Sequence, residues 1–347
     1  MTLLYNFIMA TADLAVLLAL RKTRRFLVWC AVLVSAAVTA VVLACICSSN
    51  AFGVLRLVSY GLFVHGTIVL AVSAVLLWPV RRVAAVGSAM LAILLLVVGI
   101  DGFLIEPNWL EVSHMRIETP KLTRPVRIVV LADLQTDRFG HHERNVFRQI
   151  MRQKPDLVLL AGDYLQAERA QRQQLCRQIN GLLHELGFPG RAPAYAVWGN
   201  IDSSEWPQMF DGLPVVVVSS TRSFDLGGLD LTCLTLHDSR DRALRLKAPD
   251  PERFHLVLGH RPDFALGRIE ADLLVAGHTH GGQVRLPWIG PVLRMSYVPR
   301  DWTAGLTELP GGGKLVVSRG VGMVRLGAPQ VRFLCRPELA VIDLAPQ

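Results

Sequence analysis

The chain has 347 residues, enough for two domains, with 36 Lys and Arg against 28 Asp and Glu and a formal net charge of +8. Mean hydropathy is +0.38 and charged residues make up 18%, a balance that excludes an ordinary soluble enzyme and leaves an anionic partner open. Six cysteines, Cys30, Cys45, Cys47, Cys176, Cys233 and Cys335, stand in no close paired spacing, which excludes a zinc knuckle or a disulfide framework. The apolar excess lies almost wholly in residues 1–105 and the charge mostly after 110. The expected organisation is therefore an all-α transmembrane anchor over 1–105, a linker over 106–123 and a polar domain over 124–347.

In chain order, four apolar stretches come first, at roughly 3–20, 26–47, 57–79 and 83–105, each near the ~20 residues that cross a bilayer core. Backbone polar groups in lipid must be satisfied within the segment, so each is expected to be a helix. Asn6 and Asp13 interrupt the first stretch, and whether it spans stays open. Several spans in succession do not fit a cleaved signal peptide. Arg21, Lys22, Arg24 and Arg25 lie between the first and second stretches, and Arg81 and Arg82 between the third and fourth. Positive loops favour the cytoplasm. That places a multi-pass chain in the cytoplasmic (inner) membrane with residues 106–347 on the extracytoplasmic side. His65 is the clear ionisable group deep in the third stretch. One such group reads as a packing residue, so the set is an anchor rather than a transporter.

After Trp109, strand-like runs alternate with charged segments of helical period. Strands are expected over 126–133, 156–163, 194–200, 214–220, 254–260 and 271–278, with helices over about 141–153 and 166–187. Hairpins are expected to turn at Gly227–Gly228 and Gly311–Gly313. The "GGGK" of the second lacks the spacing of a phosphate loop. No basic–aromatic interleaving appears, so no nucleic-acid partner is expected. This alternation makes the polar part an α/β domain.

Five polar clusters punctuate the series: "LADLQ" (Asp133, Gln135), "LLAGDY" (Asp163), "VWGNID" (Asn200), "LVLGHRPD" (His260) and "VAGHTH" (His278, His280). Side chains at the carboxyl ends of neighbouring strands converge on one crevice. Each cluster alone reads as a turn or a helix cap. The "GHTH" pair is stronger, because residues i and i+2 of an extended segment share a face. Oxygen and imidazole donors gathered in this way suit a metal site.

In these motifs the chain resembles the calcineurin-like metallophosphoesterases, over about residues 124–344. The likeness is nearest to their membrane-associated bacterial branch, through "GHTHGGQVRLP", "HRPD" and the closing "VVSRGVG…VRFLCRPELAVIDL". The resemblance implies a four-layer α/β/β/α sandwich with a binuclear site between its sheets. One metal would be held by Asp133, Gln135, Asp163 and His280, the other by Asp163, Asn200, His260 and His278, with Asp163 bridging. Asp163, Asn200 and His278 would then stand closest to the chemistry. Two cations about 3.5–4 Å apart can clamp a phosphoryl group and turn a shared water into a nucleophilic hydroxide. Oxygen ligands tilt the choice toward Mn²⁺, with Fe, Zn²⁺ and Mg²⁺ open.

Two positions depart from the family pattern. "DLQ" stands for Asp-x-His, so Gln135 offers a carbonyl oxygen where an imidazole is usual. "GNID" stands for "GNHD", so Ile201 replaces a histidine that assists the leaving group, a loss worth about 10²–10⁴-fold. A pyrophosphate or other good leaving group reduces that cost. Since some relatives act on lipid-linked phosphates, the expected substrate is a phosphodiester or pyrophosphate, lipid-linked, met at the membrane lipid. A metal-binding pseudo-enzyme serving as a membrane scaffold is the alternative. Arg261 and Arg319 match phosphate bidentately and His141 lies near the first motif, which makes these three the substrate-binding candidates. Asp202 reads as a helix cap.

Overall fold

The computed structural model describes residues 2–22 and 25–347. Arg24 of the first basic loop lies outside the described residues. Contacts divide the chain into two units: Met1–Ile105 with Leu326–Gln330, and Glu106–Arg325 with Val331–Gln347.

The first unit is helical. It comprises α1 (Thr2–Lys22), α2 (Phe26–Cys47), α3 (Ala51–Tyr60), α4 (Thr67–Leu77) and α5 (Arg82–Ile100), with π turns at Gly61–Gly66 and Asp101–Ile105. The first π turn joins α3 to α4, so four helices result that are long and apolar enough to cross a membrane. Leu3, Phe7, Val34, Ile46, Val83 and Ile93 are among the large apolar side chains exposed on them. The polar interruptions of α1 face inward: His65, on the first π turn, places Nδ1 2.6 Å from Asp13 Oδ2 and Nε2 3.1 Å from Asn6 Oδ1. In a low-dielectric bundle such groups must satisfy one another.

The second unit begins with β1 (Glu111–Thr119), β2 (Val126–Leu131), α6 (His141–Arg152), β3 (Leu157–Leu160), α7 (Arg169–Leu186), β4 (Ala194–Ala196) and β5 (Val215–Val217). There follow β6 (Arg222–Asp225), β7 (Leu229–Cys233), α8 (Leu236–Arg240), β8 (Arg245–Leu246), β9 (Phe254–Leu258), β10 (Arg268–Ile269) and β11 (Leu273–Ala276). Last come β12 (Arg285–Leu286), β13 (Gly290–Pro291), β14 (Gly305–Glu308), β15 (Lys314–Val317) and β16 (Glu338–Pro346). One six-stranded sheet runs β1-β16-β2-β3-β4-β5, the other β14-β15-β11-β9-β7-β6. β2 to β5 are parallel in the first, and β7, β9, β11 and β15 in the second.

Residues 106–123, expected as a linker, are instead part of this unit. Glu111–Thr119 pairs in parallel with Glu338–Pro346 along its whole length, and Ile117 is buried in the core between the sheets. Its partner strand lies at the far end of the chain, so nothing local announces the pairing.

The strands sort their side chains by a period of two. Ile128 and Val130 of β2 join Leu231, Leu256, Val275 and Val316 in the core between the sheets. Val129 and Leu131 point the other way, onto Phe147 and Ile150 of α6 and Leu183 of α7. In the second sheet Leu274 and Ala276 face outward onto Phe264, beneath short helical turns. The parallel strands are thus covered on both faces, which explains their unbroken apolar runs.

Candidate metal centre

Every candidate ligand lies two to four residues beyond a strand end. Asp133 and Gln135 follow β2, Asp163 follows β3, Asn200 follows β4, His260 follows β9, and His278 and His280 follow β11. The strands stop short of the expected ends because the backbone turns left-handed at the ligands: φ is 52° at Asp133, 40° at Gln135, 59° at Asp163, 71° at His278 and 49° at His280. Non-glycine residues adopt this region only where the surroundings over-determine it, which is common at functional sites. The histidine pair therefore does not lie on an extended segment, as the i, i+2 argument assumed. Thr279 between them is helical, and His280 opens a 3₁₀ turn.

Asp163 is the hub. Its Oδ2 accepts from Gln135 Nε2 at 3.1 Å, its Oδ1 accepts from the Ile201 backbone N–H at 3.0 Å, and His260 Nε2 lies 3.4 Å from Oδ1. Asp163, His260 and His278 offer ligand atoms all within 4.8 Å of one another. His260 gives Nδ1–H to the Ala161 carbonyl at 2.7 Å, which leaves Nε2 facing Asp163 and, at 3.1 Å, Asn200 Oδ1. His278 meets the Met295 carbonyl through Nε2 at 2.8 Å, and its backbone N–H donates to the Asp133 carboxylate. The structure thus links Gln135, Asp163, His260 and Asn200 through polar contacts, sets the His278 ring beside Asp163 and His260, and ties Asp133 to the His278 backbone; all are buried except Asn200, which is exposed.

Two atoms are left over. Gln135 Oε1 and His280 Nε2 are buried and have no hydrogen-bond partner among the described residues. A buried polar atom without a partner costs about 1–3 kcal/mol. Both belong to the set that the family pattern gives to one cation, and coordination to a cation would give each atom the partner it lacks. The donor set fits divalent metals on this observation.

Electrostatics agree. Burial, then the charges of His260 and Arg261, press His278 down to about 3. Burial and Arg332 press His280 well below the ordinary histidine value. Both rings are therefore neutral lone-pair donors. Burial opposes charge on His260, but Asp163 and Asp133 raise it to about 9. Burial raises Asp163 too, yet His260 and the Ile201 N–H bring it below the usual carboxylate range. Burial lifts Asp133 to about 8. A divalent cation among these donors would favour ionised Asp133 and an unprotonated His260 Nε2.

The substrate-binding candidates fare differently. Arg261 is ion-paired with Asp263 at 2.8 Å and reaches the Met295 carbonyl at 3.3 Å. Arg319 Nη2 lies 3.1 Å from both Glu111 and Glu338. Carboxylates thus already engage both guanidinium groups. His141 is exposed at the first turn of α6, and its neighbour His142 donates Nε2–H to the Val321 carbonyl at 2.9 Å.

Three supports escaped sequence reasoning. Asp202 is no helix cap: its carboxylate accepts backbone N–H groups of Asp163 at 2.9 Å, Tyr164 at 2.7 Å and Gly199 at 2.8 Å, fixing the turn that presents Asp163. Arg332 is fully buried, with no carboxylate partner among the described residues. Its guanidinium instead serves the carbonyls of Arg319, Gly320, Gly322 and Cys335, and Cys335 Sγ in turn donates to the His280 carbonyl. Gly199 lets the strand end approach: a Cβ there would stand 2.0 Å from Asp163 Oδ1. Asp202 stood in the "GNID" motif and Arg332 in "VRFLCRPEL", but a lone Asp or Arg carries no local mark of burial.

Carboxylate, amide and imidazole donors at the strand ends of two packed sheets define a metal-dependent hydrolase. A family model for calcineurin-like phosphoesterases matches residues 126–282. The phosphodiesterase YaeI of Escherichia coli (strain K12) is 30% identical over 267 residues, covering 69% of this chain and 90% of that protein. The uncharacterized metallophosphoesterase YkuE of Bacillus subtilis (strain 168) is 27% identical over 259 residues, covering 69% and 87%. An uncharacterized metallophosphoesterase of Aquifex aeolicus (strain VF5) is 26% identical, covering 69% and 94%. The chain belongs to the calcineurin-like phosphoesterase family and is a metal-dependent hydrolase of phosphoric esters.

Proposed function

We propose that the chain is a membrane-anchored phosphodiesterase or pyrophosphohydrolase that works with two divalent cations, Mn²⁺ favoured, on a lipid-linked substrate. The observation that carries the two-cation reading is the pair of buried, unpartnered atoms, Gln135 Oε1 and His280 Nε2, beside the Asp163–His260–His278 cluster. Asp133, Gln135, Asp163 and His280 would hold one cation, and Asp163, Asn200, His260 and His278 the other. When bound, the cations would activate water and offset charge on the transferring phosphoryl group.

The chain's own residues do the rest. Asp202 and the Ile201 N–H fix Asp163 from its backbone and its carboxylate. The Ala161 and Met295 carbonyls hold the two rings and select their tautomers. Ile201 cannot give a proton to a leaving group, which favours a substrate whose leaving group is already stable as an anion. YaeI is named a phosphodiesterase, which supports the diester side of this reading. Two sheets with helices on the outer face of one and short helical turns on the other support the α/β/β/α sandwich. Four membrane-length helices and the basic loops support an inner-membrane anchor with the catalytic unit outside.

The test is the purified full chain with Mn²⁺ on an aryl phosphodiester and an aryl phosphomonoester. Diester hydrolysis should dominate and vanish in Asp163→Ala with His278→Ala; activity that survives the double change refutes the site. In Ile201→His, a gain from near-zero activity would instead favour a degenerate scaffold.

A further inference from the structure

Residues 283–300, QVRLPWIGPVLRMSYVPR, follow directly on the turn that carries His280 and contain three arginines and no carboxylate. Within them β12 and β13 form a ribbon, Arg285 opposite Pro291 and Leu286 opposite Gly290, with Pro287, Trp288 and Ile289 at its tip. Leu286, Trp288, Ile289, Val292, Leu293 and Tyr297 are all exposed, and Trp288 completely so. Among the described residues of this unit the other exposed large apolar side chains, Trp109, Leu266, Leu306 and Leu334, are scattered, whereas these six lie on one short stretch of chain. Arg294 and Arg300 are exposed beside them, Arg300 reaches the Ile289 carbonyl at 3.4 Å, and Arg242 stacks on Tyr297 at 4.3 Å. An apolar, aromatic tip flanked by arginines matches the chemistry of a headgroup–acyl boundary, and its positive charge matches anionic lipid.

The root of this hairpin is tied to the first residue of its own unit. Phe333 pairs with Val284, its carbonyl accepting from Arg285 N–H at 2.9 Å and its N–H donating to the Gln283 carbonyl at 2.9 Å. The next residues, Leu334 and Cys335, give their backbone N–H groups to the buried carboxylate of Glu106, the former at 2.7 Å. In the chain, Glu106 directly follows the last residue of the helical unit. Glu106, the hairpin root and the His280 turn are thus one hydrogen-bonded strip of this unit.

We propose that the 283–300 hairpin is an interfacial anchor: it seats Trp288 and its apolar neighbours in the surface of an anionic phospholipid bilayer and so holds the metal ligands at headgroup depth. The proposal rests on the membrane-anchored reading above.

The experiment uses the full chain reconstituted in phosphatidylcholine–phosphatidylglycerol vesicles, with and without acyl-brominated lipid. The fluorescence of Trp288 is taken as the difference between the wild type and Trp288→Phe. A blue-shifted difference emission quenched by brominated lipid is expected. A water-like, unquenched emission overturns the proposal, as does an emission that shifts with protein-to-lipid ratio but is not quenched, which would mean a second copy of the chain. Flotation with the vesicles is read alongside. A chain that does not float fails the anchor reading itself, whereas one that floats with Trp288 unquenched fails the hairpin alone. In Trp288→Ser with Ile289→Ser, hydrolysis of a vesicle-borne phosphodiester should fall roughly tenfold while that of a soluble aryl phosphodiester is kept; equal loss on both, or on neither, counts against docking.

Discussion

Replacing Asp202 by Asn tests whether the turn presenting Asp163 is held from behind. In the wild type Oδ2 accepts from the backbone N–H groups of Asp163 at 2.9 Å and Gly199 at 2.8 Å, and Oδ1 from Tyr164 at 2.7 Å. An asparagine can keep its carbonyl oxygen on the first two donors. Its NH₂ then faces the Tyr164 N–H, so one bond is lost and a donor opposes a donor. A hydrogen bond to a charged acceptor is worth about 1.5–3 kcal/mol, and that is the expected loss of stability. Because the displaced donors flank Asp163, metal affinity should fall as well. Urea unfolding of the full chain in detergent, with metal titration by calorimetry, measures both. Wild-type stability and metal affinity in Asp202→Asn at about pH 8 would refute the idea that this carboxylate positions the hub.

Three further outcomes follow from the same geometry. In Gly199→Ala the new Cβ would meet Asp163 Oδ1 at 2.0 Å and its backbone N at 2.2 Å; a stability loss of about 1–3 kcal/mol and a loss of bound metal are expected by unfolding and elemental analysis, and unchanged metal content would contradict the close approach. Stripping metal with a chelator should lower unfolding stability by about 2.7 kcal/mol for each cation relative to protein held at a hundredfold excess over Kd, and re-addition should restore it; a chelator-independent unfolding midpoint would argue against a folded-state metal site. Burial holds the His142 ring below the ordinary histidine value in spite of its bond to Val321. Below about pH 6.5 the unfolded chain therefore takes up a proton that the native state refuses, and stability falls as pH falls, by up to ~1.4 kcal/mol per pH unit. His142→Gln should flatten the slope between about pH 7 and 5.5, and an unchanged slope would assign it elsewhere.

Much was legible in the sequence where the signal is local. The four apolar stretches are helices in the structure, because length and absence of charge suffice to define them. The runs ending in Asp133, Asp163, His260 and His278 are strands, because covered parallel strands must be apolar on both faces. Strand ends then place the donors together, which is why motifs weak singly were informative in series.

Other features were decided by folding alone. Glu111–Thr119 became a sheet strand because its partner lies at the opposite end of the chain. Arg319 met Glu111, 208 residues away, and Arg261 met Asp263, so two residues that read as phosphate ligands also have carboxylate partners. Asp202 turned from a cap into the acceptor of three backbone donors, and Arg332 into a buried charge among carbonyls. Sequence determined which donors this protein has and the secondary structure that carries them, since pattern and period act over neighbouring residues. Only the tertiary structure decided which charges are left free and which are spent on one another, because pairing depends on distance in space, and burial on everything packed around it.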